Sequence, residues 1–366
     1  RRAQRDQSSH RQCTGSVRQH FACRSGIPYG THQLSPELPL SVLIMLELTN
    51  LSNADCDVEH ILHGEADALP AMIEELDLDG IEFMLCAPWN RAMFPSELIW
   101  GVHLMFWPAW LDFWRGDRAA LMAEFGSEEN IRDYYGTLHV ADWIEGWKAN
   151  LRQAAACQPQ YVVFHVAHNR TSEMYTRQFS ASDEDVISAA IALVNQFVAE
   201  MPADCTLLFE NLWWPGLTFC RPQLAVRMIE QVDYPHTGFM LDVGHLMNTD
   251  PNLRDEADGA AYVQKRCRNL GELGRRIYGI HLHQSLSGTY TREMMRSHAG
   301  EHRSLRWEEA MAYVLHVDRH EPFRTDAVRR IVETLQPQWL VHEFLHRSRE
   351  TFMQNVRVQR RALGYC

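Results

Sequence analysis

The sequence lacks several features that would place it in other classes of protein. No apolar run approaches the ~20 residues that a membrane-spanning helix requires, and the stretch at 38–46 is far too short. The nine cysteines include no CxxC pair, which favours reduced thiols in a cytoplasmic protein over a disulfide framework. Only two lysines occur, at 148 and 265, and we interpret this scarcity as compositional bias. We therefore expect a cytoplasmic protein that does not cross a membrane.

Positive charge is also scarce after the first 44 residues. Residues 1–44 contain six Arg and two acidic residues, which leaves 29 basic and 45 acidic side chains in the remainder, a net charge of −16. A surface of that sign repels phosphates, so a nucleic-acid partner is not expected.

Residues 1–44 differ in character from the rest of the chain. They are rich in Arg, Ser and Gln and show neither a helical nor a strand period. A targeting presequence has such a composition, but we interpret the segment as upstream sequence ahead of a natural start at Met45. We therefore expect a disordered or loosely packed extension at 1–44, followed by a single domain at 45–366.

Eight short apolar runs alternate with longer segments from Met45 onward. Several are almost continuous Val, Leu, Ile and Phe, which is typical of parallel strands buried on both faces. The runs are 46–50, 81–85, 101–106, 161–166, 206–211, 238–243, 278–283 and 339–344. Helical patterns lie between and after them, at 142–158, 183–201, 260–273, 326–335 and 347–361. This alternation predicts a (β/α)8 TIM barrel, and the first run lacks the glycine-rich turn of a doubly wound sheet.

Side chains able to bind a divalent cation stand at the ends of the last four runs. They are Glu210, Asp242, His281 and Glu343. The C-terminal ends of barrel strands meet at one mouth, so these side chains can converge. Burying so many charges requires a compensating partner. Carboxylates and imidazoles without a thiolate suit Mn, Mg, Co or Zn, so the sequence predicts one divalent metal at the barrel mouth.

Further polar residues extend this candidate site. His103 and His165 lie near the ends of strands three and four, and they are either metal ligands or histidines hydrogen-bonded within the barrel. His245 follows strand six, and His283 shares a strand face with His281. Glu82 lies in the middle of strand two and either supports the metal or contacts the substrate.

Over residues 45–345 the chain resembles the xylose isomerase-like TIM barrel superfamily, which includes sugar and sugar phosphate isomerases and epimerases and the endonuclease IV nucleases. The resemblance rests on FHV at His165, LFEN at Glu210, LDVGH at Asp242 and His245, IHLHQS at His281, and VHEF at Glu343. The LDVGH and IHLHQS elements are moderately specific alone, and the order of all five at one strand–helix spacing makes the set more specific.

For the isomerase and epimerase branch, the resemblance implies one divalent metal bound by Glu210, Asp242, His281 and Glu343. The two glutamates would then move a proton on opposite sides of a sugar carbon, and His245 would position a substrate oxygen. The implied reaction is isomerisation or epimerisation of a carbohydrate-like small molecule through an enediolate. One departure is Gln284, which stands where the family usually carries an acid.

Other activities stay open. The endonuclease IV branch also uses histidines on strands three and four, here His103 and His165, and an Asp-x-His pair after strand seven. We place that pair at 296–298, where His298 is present but Arg296 replaces the Asp, which argues against a three-metal phosphodiesterase. A metal-dependent lyase or dehydratase, or an inactive binding subunit, would also fit the barrel, and the sequence leaves a homo-oligomer open.

Aromatic and cationic side chains after strands three to five are candidates for substrate contact. The tryptophans are Trp107, Trp110, Trp213 and Trp214. We interpret them as a wall over the mouth, with a satellite core under a long loop as the alternative for the first two. Arg170 is a candidate clamp for phosphate or carboxylate. The histidine-rich segment 302–320 has the spacing of an ordinary amphipathic helix and is not assigned to the site.

Overall fold

The protein is represented by a computed structural model that describes residues 45–345 and 348–365. The extension expected at 1–44 lies outside these residues. The described chain forms a closed barrel of eight parallel strands in sequence order, which confirms the predicted (β/α)8 fold. The strands are β1 (Leu46–Ser52), β2 (Gly80–Met84), β3 (Ile99–His103), β4 (Tyr161–His165), β5 (Thr206–Glu210), β6 (Thr237–Asp242), β7 (Ile277–Leu282) and β8 (Trp339–His342).

Helices connect the strands and cover the outside of the barrel. They are α1 (Asp55–His60), α2 (Ala68–Leu76), α3 (Leu111–Arg115), α4 (Arg118–Phe125), α5 (Glu128–Tyr135), α6 (Val140–Ala156), α7 (Asp183–Phe197), α8 (Pro222–Gln231), α9 (Val243–Met247), α10 (Glu256–Asn269), α11 (Gly288–Ser297), α12 (Trp307–Val317), α13 (Arg329–Leu335) and α14 (Arg349–Leu363). The helix predicted at 260–273 begins earlier because the Asp255 side chain accepts a hydrogen bond from the Asp258 amide and caps α10 at that point.

Alternation along the strands separates an inner core from an outer one. In β5, Leu208 packs with the residues inside the barrel, whereas Phe209 packs in the layer between strands and helices. The next residue, Glu210, therefore points inward again, one layer above Leu208 and at the mouth. In β6, Met240 likewise belongs to the inner core, so Asp242, two residues later, also points inward.

The register of neighbouring strands sets the polar residues side by side. His165 on β4 is the partner of Glu210 on β5, and Asp242 on β6 is the partner of His281 on β7. Parallel neighbours in register present their side chains to the same face of the sheet, so each of these two pairs faces the inside of the barrel, whereas the register partner of Glu210 on β6 is Met240.

Within the described part of the chain, none of the helices combines the length and apolar character that a membrane span requires.

Candidate metal centre

Four side chains from the ends of β5 to β8 converge inside the barrel mouth. The Nδ1 atom of His281 lies 3.1 Å from Glu343 Oε2, 3.4 Å from Glu210 Oε1 and 3.8 Å from Asp242 Oδ2. Glu210, Asp242 and His281 are fully buried, and Glu343 is 15% exposed. The structure thus brings together the four residues that the sequence analysis singled out, and we call them the central group.

Glu210 faces two separate sets of imidazoles with its two oxygens. Its Oε2 lies 3.0 Å from His103 Nε2 and 3.0 Å from His165 Nε2. Its Oε1 faces His281 and lies 3.3 Å from His245 Nδ1. His103, His165 and Glu210 form a set of donor atoms within 4.8 Å of one another, which we call the His103 group. The carboxylate of Glu210 therefore belongs to both groups.

Two residues that the sequence analysis left out of the site lie beside His245. Asp318 Oδ2 is 3.0 Å from His245 Nε2 and 3.4 Å from His320 Nδ1, and the three residues form the Asp318 group. The helix expected over 302–320 spans only Trp307–Val317, because Asp318 has ψ 88° and His320 has φ 45°. The spacing Asp-x-His thus also occurs at Asp318 and His320, and the structure places this pair, and not residues 296–298, beside His245.

Of the two remaining candidate histidines, His283 lies within the site and His298 lies outside it. His298 lies just after α11, where its Nδ1 is 3.1 Å from the Met294 carbonyl oxygen, and it belongs to none of the donor sets found among the described residues. His283 lies within the site, with Nε2 2.9 Å from Asp242 Oδ2 and its ring stacked 4.0 Å from that of His320. A Cβ at Gly244 would come within 2.1 Å of the His283 ring, so the glycine in LDVGH makes room for it.

Several buried donor atoms of the site are not satisfied by the protein itself. Glu210 Oε1, His281 Nδ1 and Glu343 Oε2 form no hydrogen bond of acceptable geometry with any described residue, although they face one another at 3.1 and 3.4 Å. Buried lone pairs normally have a partner, and leaving them without one is costly. A divalent cation would satisfy all three atoms, so the residues present fit a metal centre of nitrogen and oxygen ligands.

The titratable groups of the site balance one another's charge. Burial opposes a charge on His281, yet the carboxylates of Glu343, Glu82 and Glu210 raise its pKa well above the ordinary value. Burial also opposes the charged form of Glu210, but the imidazoles of His165 and His281 hold its pKa well below the usual range. Imidazolium ions thus supply the positive charge that cations would otherwise bring, so protons and metal ions compete for these ligands.

A buried pair behind the central group orients His281. Glu82, on β2, lies with Oε1 2.9 Å from His281 Nε2, and the Tyr161 hydroxyl donates to Glu82 Oε2 at 2.9 Å. Tyr161 fits there because residue 101 is glycine, whose added Cβ would lie 2.1 Å from the tyrosine ring. This contact holds the imidazole so that Nδ1 faces the carboxylates, and of the two roles expected for Glu82 the structure favours support of His281, because Glu82 does not line the cavity.

Substitution of Tyr161 by Phe tests this support. We expect metal affinity to fall about tenfold, the lower end of the range for residues that orient a ligand, because Glu82 loses its only described donor apart from His281. Competition with a chromogenic chelator measures the effect. Tyr278→Phe is the matched control, because Tyr278 packs over Gly238 as Tyr161 packs over Gly101. Equal affinity in the two variants would refute the positioning role.

A cavity of about 1080 Å³ opens above these groups. Three aromatic residues line it close to the ligands, and we call Phe106, Trp213 and Trp214 the aromatic wall. The ring of Phe106 lies 4.5 Å from that of His165, and the ring of Trp213 lies 5.1 Å from that of His245. Two of the four predicted tryptophans thus border the cavity.

The other predicted substrate contacts point elsewhere. Trp107 donates to the Tyr134 carbonyl oxygen and packs 5.0 Å from Trp147, whereas Trp110 donates to the Ala167 carbonyl oxygen. Both belong to the core beneath the loop after β3, the alternative considered for them. Arg170 also does not line the cavity, because its guanidinium forms two 2.7 Å hydrogen bonds to Asp112.

Comparison with known proteins identifies the family to which this architecture belongs. The sequence profile of the xylose isomerase-like TIM barrel family matches residues 71–362. Endonuclease IV from Thermus thermophilus is 17% identical over 87% of this chain and 99% of that one, with a TM-score of 0.48. A putative xylose isomerase from Rhodospirillum rubrum is 14% identical over 87% and 98%, with a TM-score of 0.49. Mannonate dehydratase from Streptococcus suis is 13% identical over 88% and 95%, with a TM-score of 0.46. No curated protein matches.

Proposed function

The chain belongs to the xylose isomerase-like TIM barrel family, and we propose that it hydrolyses a phosphate ester at a centre of two or three divalent metal ions. Family members include isomerases, epimerases, endonuclease IV and dehydratases, so membership alone does not choose among these reactions. The observation that carries the proposal is the position of Glu210, whose two oxygens face the His103 group and the central group separately.

A bridging carboxylate favours more than one metal ion. The His103 group and the central group share Glu210, and the Asp318 group adds three more ligands, which are Asp318, His245 and His320. The three groups together contain five imidazoles and four carboxylates, which is more than one ion can accept. When bound, neighbouring divalent ions stabilise the attacking and leaving oxygens of a displacement at phosphorus and lower the pKa of water.

The chain's own residues provide the fixed framework for that chemistry. Asp242 caps α9 by accepting the His245 amide hydrogen through Oδ1, which leaves Oδ2 facing the site. The Asn211 carbonyl oxygen lies 2.9 Å from His245 Nδ1 and orients that ring. The aromatic wall limits access of bulk water on one side. These contacts hold the donor atoms in place before the substrate arrives, which is how a preorganised site stabilises developing charge.

The endonuclease IV pattern described above supports the same proposal. That branch uses histidines on strands three and four together with an Asp-x-His pair after strand seven. His103 and His165 occupy the first two places, and Asp318 and His320 supply the pair. Arg296 therefore does not count against a site for three ions, because Asp318 and His320 supply the Asp-x-His spacing instead.

Isomerisation or epimerisation of a carbohydrate-like molecule is the second candidate. It is favoured by Glu210 and Glu343, whose carboxylates lie 3.4 and 3.1 Å from His281 Nδ1, because a single-metal site of this kind requires two carboxylates for proton transfer. A lyase or dehydratase reaction would use the same arrangement.

Metal stoichiometry combined with two assays separates these candidates. Protein stripped with a chelator is reloaded with Mn, Zn, Co or Mg and analysed for bound metal. It is then assayed for hydrolysis of bis(p-nitrophenyl) phosphate and for interconversion of a panel of aldoses and ketoses. Hydrolysis with more than one metal equivalent supports the proposal. A single equivalent with sugar interconversion would replace it with the second candidate.

We expect the apparent metal affinity to increase with pH. Burial opposes a charge on His320, but Asp318 and Glu343 raise its pKa from 6.5 to about 9. Below that pKa the imidazole must release a proton before it can bind a metal ion, so affinity rises as the pH approaches 9. Calorimetric titration with Mn²⁺ in two buffers of different ionisation enthalpy measures the released protons. An affinity independent of pH would contradict this expectation.

The same shift affects the stability of the metal-free protein with the opposite sign. Because the folded-state pKa of His320 lies above its ordinary 6.5, its contribution to the free energy of unfolding is fully present below pH 6.5. The contribution is lost as the pH rises through about 9. Raising the pH is thus expected to weaken the metal-free fold while strengthening metal binding, and melting temperatures with and without Mn²⁺ should diverge.

A further inference from the structure

The cavity above the metal centre has a polar floor and apolar sides. Its floor includes His103, His165, His245, Asp318, His320 and Glu343, which belong to all three ligand groups. Its sides come from the aromatic wall, from α4 and α5 through Phe125 and Tyr134, and from α12 through Met311 and Val314. A substrate held at the floor must therefore extend between apolar surfaces.

The rim of the cavity exposes large apolar side chains to solvent. Trp307 is 59% exposed, Leu345 is 49% exposed and Met84 is 40% exposed, and all three line the cavity. They come from three separate segments, because Met84 is the last residue of β2, Trp307 begins α12 after β7, and Leu345 follows β8. Exposed apolar side chains gathered around one opening mark a binding surface more often than an accident of folding.

Charge on the cavity lining disfavours a polyanion. Arg306 is the one cationic side chain, histidines aside, among the described residues that line it, and its Nε already lies 3.4 Å from Glu309. Glu124, Asp133 and Glu308 add negative charge to the lining. A nucleic acid strand carries a phosphate at every nucleotide, and its binding depends on cationic side chains that neutralise several of them.

We propose that the substrate is a small phosphate ester whose alcohol part is bulky and apolar, such as an aryl or branched alkyl group. The phosphate ester in this inference rests on the proposed function, whereas the recognition of an apolar group does not. The phosphate lies at the polar floor, and the apolar group lies between the aromatic wall and the rim residues Met84, Trp307 and Leu345. Removing the apolar group from water then provides the selectivity.

Two anions that differ only in their apolar part test the inference without catalysis. Phenylphosphonate and methylphosphonate are titrated into the metal-loaded protein and followed calorimetrically. We expect the phenyl compound to bind at least about tenfold more tightly, because it buries several more carbons. Equal affinities would overturn the inference.

Substitutions at the rim test whether Trp307 and Leu345 cause the preference for the phenyl compound. The double substitution Trp307→Ala and Leu345→Ala is expected to reduce the phenyl-to-methyl affinity ratio by about threefold or more. Leu315→Ala is the matched control, because Leu315 is 49% exposed on α12 but does not line the cavity. A ratio that is unchanged in the double variant would refute the assignment to this rim.

A duplex oligonucleotide containing an abasic site provides the opposing probe. We expect it not to displace phenylphosphonate, and displacement that weakens steeply with salt would overturn the inference. The outcomes are separable from those of the proposed function. If phenylphosphonate is preferred but no phosphate ester is hydrolysed, the hydrolase proposal fails and the apolar recognition stands. If esters are hydrolysed regardless of their alcohol part, the hydrolase proposal stands and the apolar recognition fails.

Discussion

Replacing Glu210 with Gln is expected to reduce activity more than about 100-fold and to lower the number of bound metal ions. Residues that merely orient a metal ligand account for about 10- to 100-fold when they are changed, and Glu210 is placed to bind metal with both oxygens. The amide keeps the volume of the carboxylate but removes its charge and one acceptor. Both the His103 group and the central group lose their common ligand in this variant.

We expect the Glu210→Gln variant to fold, so that its loss of activity and of bound metal can be assigned to the site. The amide remains close to His103 and His165, and these imidazoles can adjust their protonation, so we expect a destabilisation of about 1–3 kcal/mol. Thermal unfolding and elemental analysis of the same preparation measure both effects. Glu230→Gln on the exposed surface of α8 is the matched control. Retained activity and metal content in Glu210→Gln would remove the basis of the proposed centre.

The sequence was sufficient to predict the central group because its signal is local. Glu210, Asp242 and His281 each lie at or near the end of an apolar strand, at a position that faces inward. Closure of the barrel alone brings inward-facing residues of neighbouring strands together. The residues in β6 and β7 are partners in register, which needs no long-range detail beyond strand order. The predicted strand ends were off by only one to three residues.

The residues that the sequence analysis missed depend on how helices end and loops fold. Asp318 and His320 read as the continuation of an amphipathic helix, because the pattern up to Val317 is helical. The helix stops at Asp318 because that residue leaves the helical conformation, accepts a hydrogen bond from the Ser285 hydroxyl and approaches His245. Both partners are distant in sequence, since His245 follows β6 and Ser285 lies at the start of the β7–β8 connection, and local periodicity does not contain such contacts. The Asp-x-His spacing at 318–320 was the available signal.

In the aromatic segment after β3, the sequence likewise did not show which side chains face the cavity. Phe106, Trp107 and Trp110 are close in sequence, but only Phe106 lines the cavity. Trp107 and Trp110 instead pack near Trp143 on α6, at ring distances of 5.5 and 6.4 Å. Both indole N–H groups find carbonyl partners in that core. Composition predicted an aromatic surface near the mouth, whereas the division between core and cavity depended on the packing of α6.

Asp318→Asn is expected to remove one metal equivalent and to reduce activity by more than about 100-fold, again beyond the range for an orienting residue. Asp318 lies between His245 and His320, at 3.0 and 3.4 Å, and is the only carboxylate of the Asp318 group. Its loss leaves two imidazoles to hold an ion there, whereas the central group and the His103 group keep all their ligands. Elemental analysis of wild type and variant gives the difference.

The difference in stoichiometry between these two proteins decides how many ions the barrel holds. Asp233→Asn, at an exposed position before β6, is the matched control and should retain the full complement. If the wild type already binds a single equivalent, and Asp318→Asn keeps it, then Asp318 and His320 serve only to orient His245. Their hydrogen bonds would then resemble those of Glu82 to His281, and the single-metal isomerase chemistry would become the better account. If the wild type binds several metal equivalents and Asp318→Asn binds one fewer, an orienting role for Asp318 does not explain the result, because a residue that only orients His245 does not bind an ion of its own.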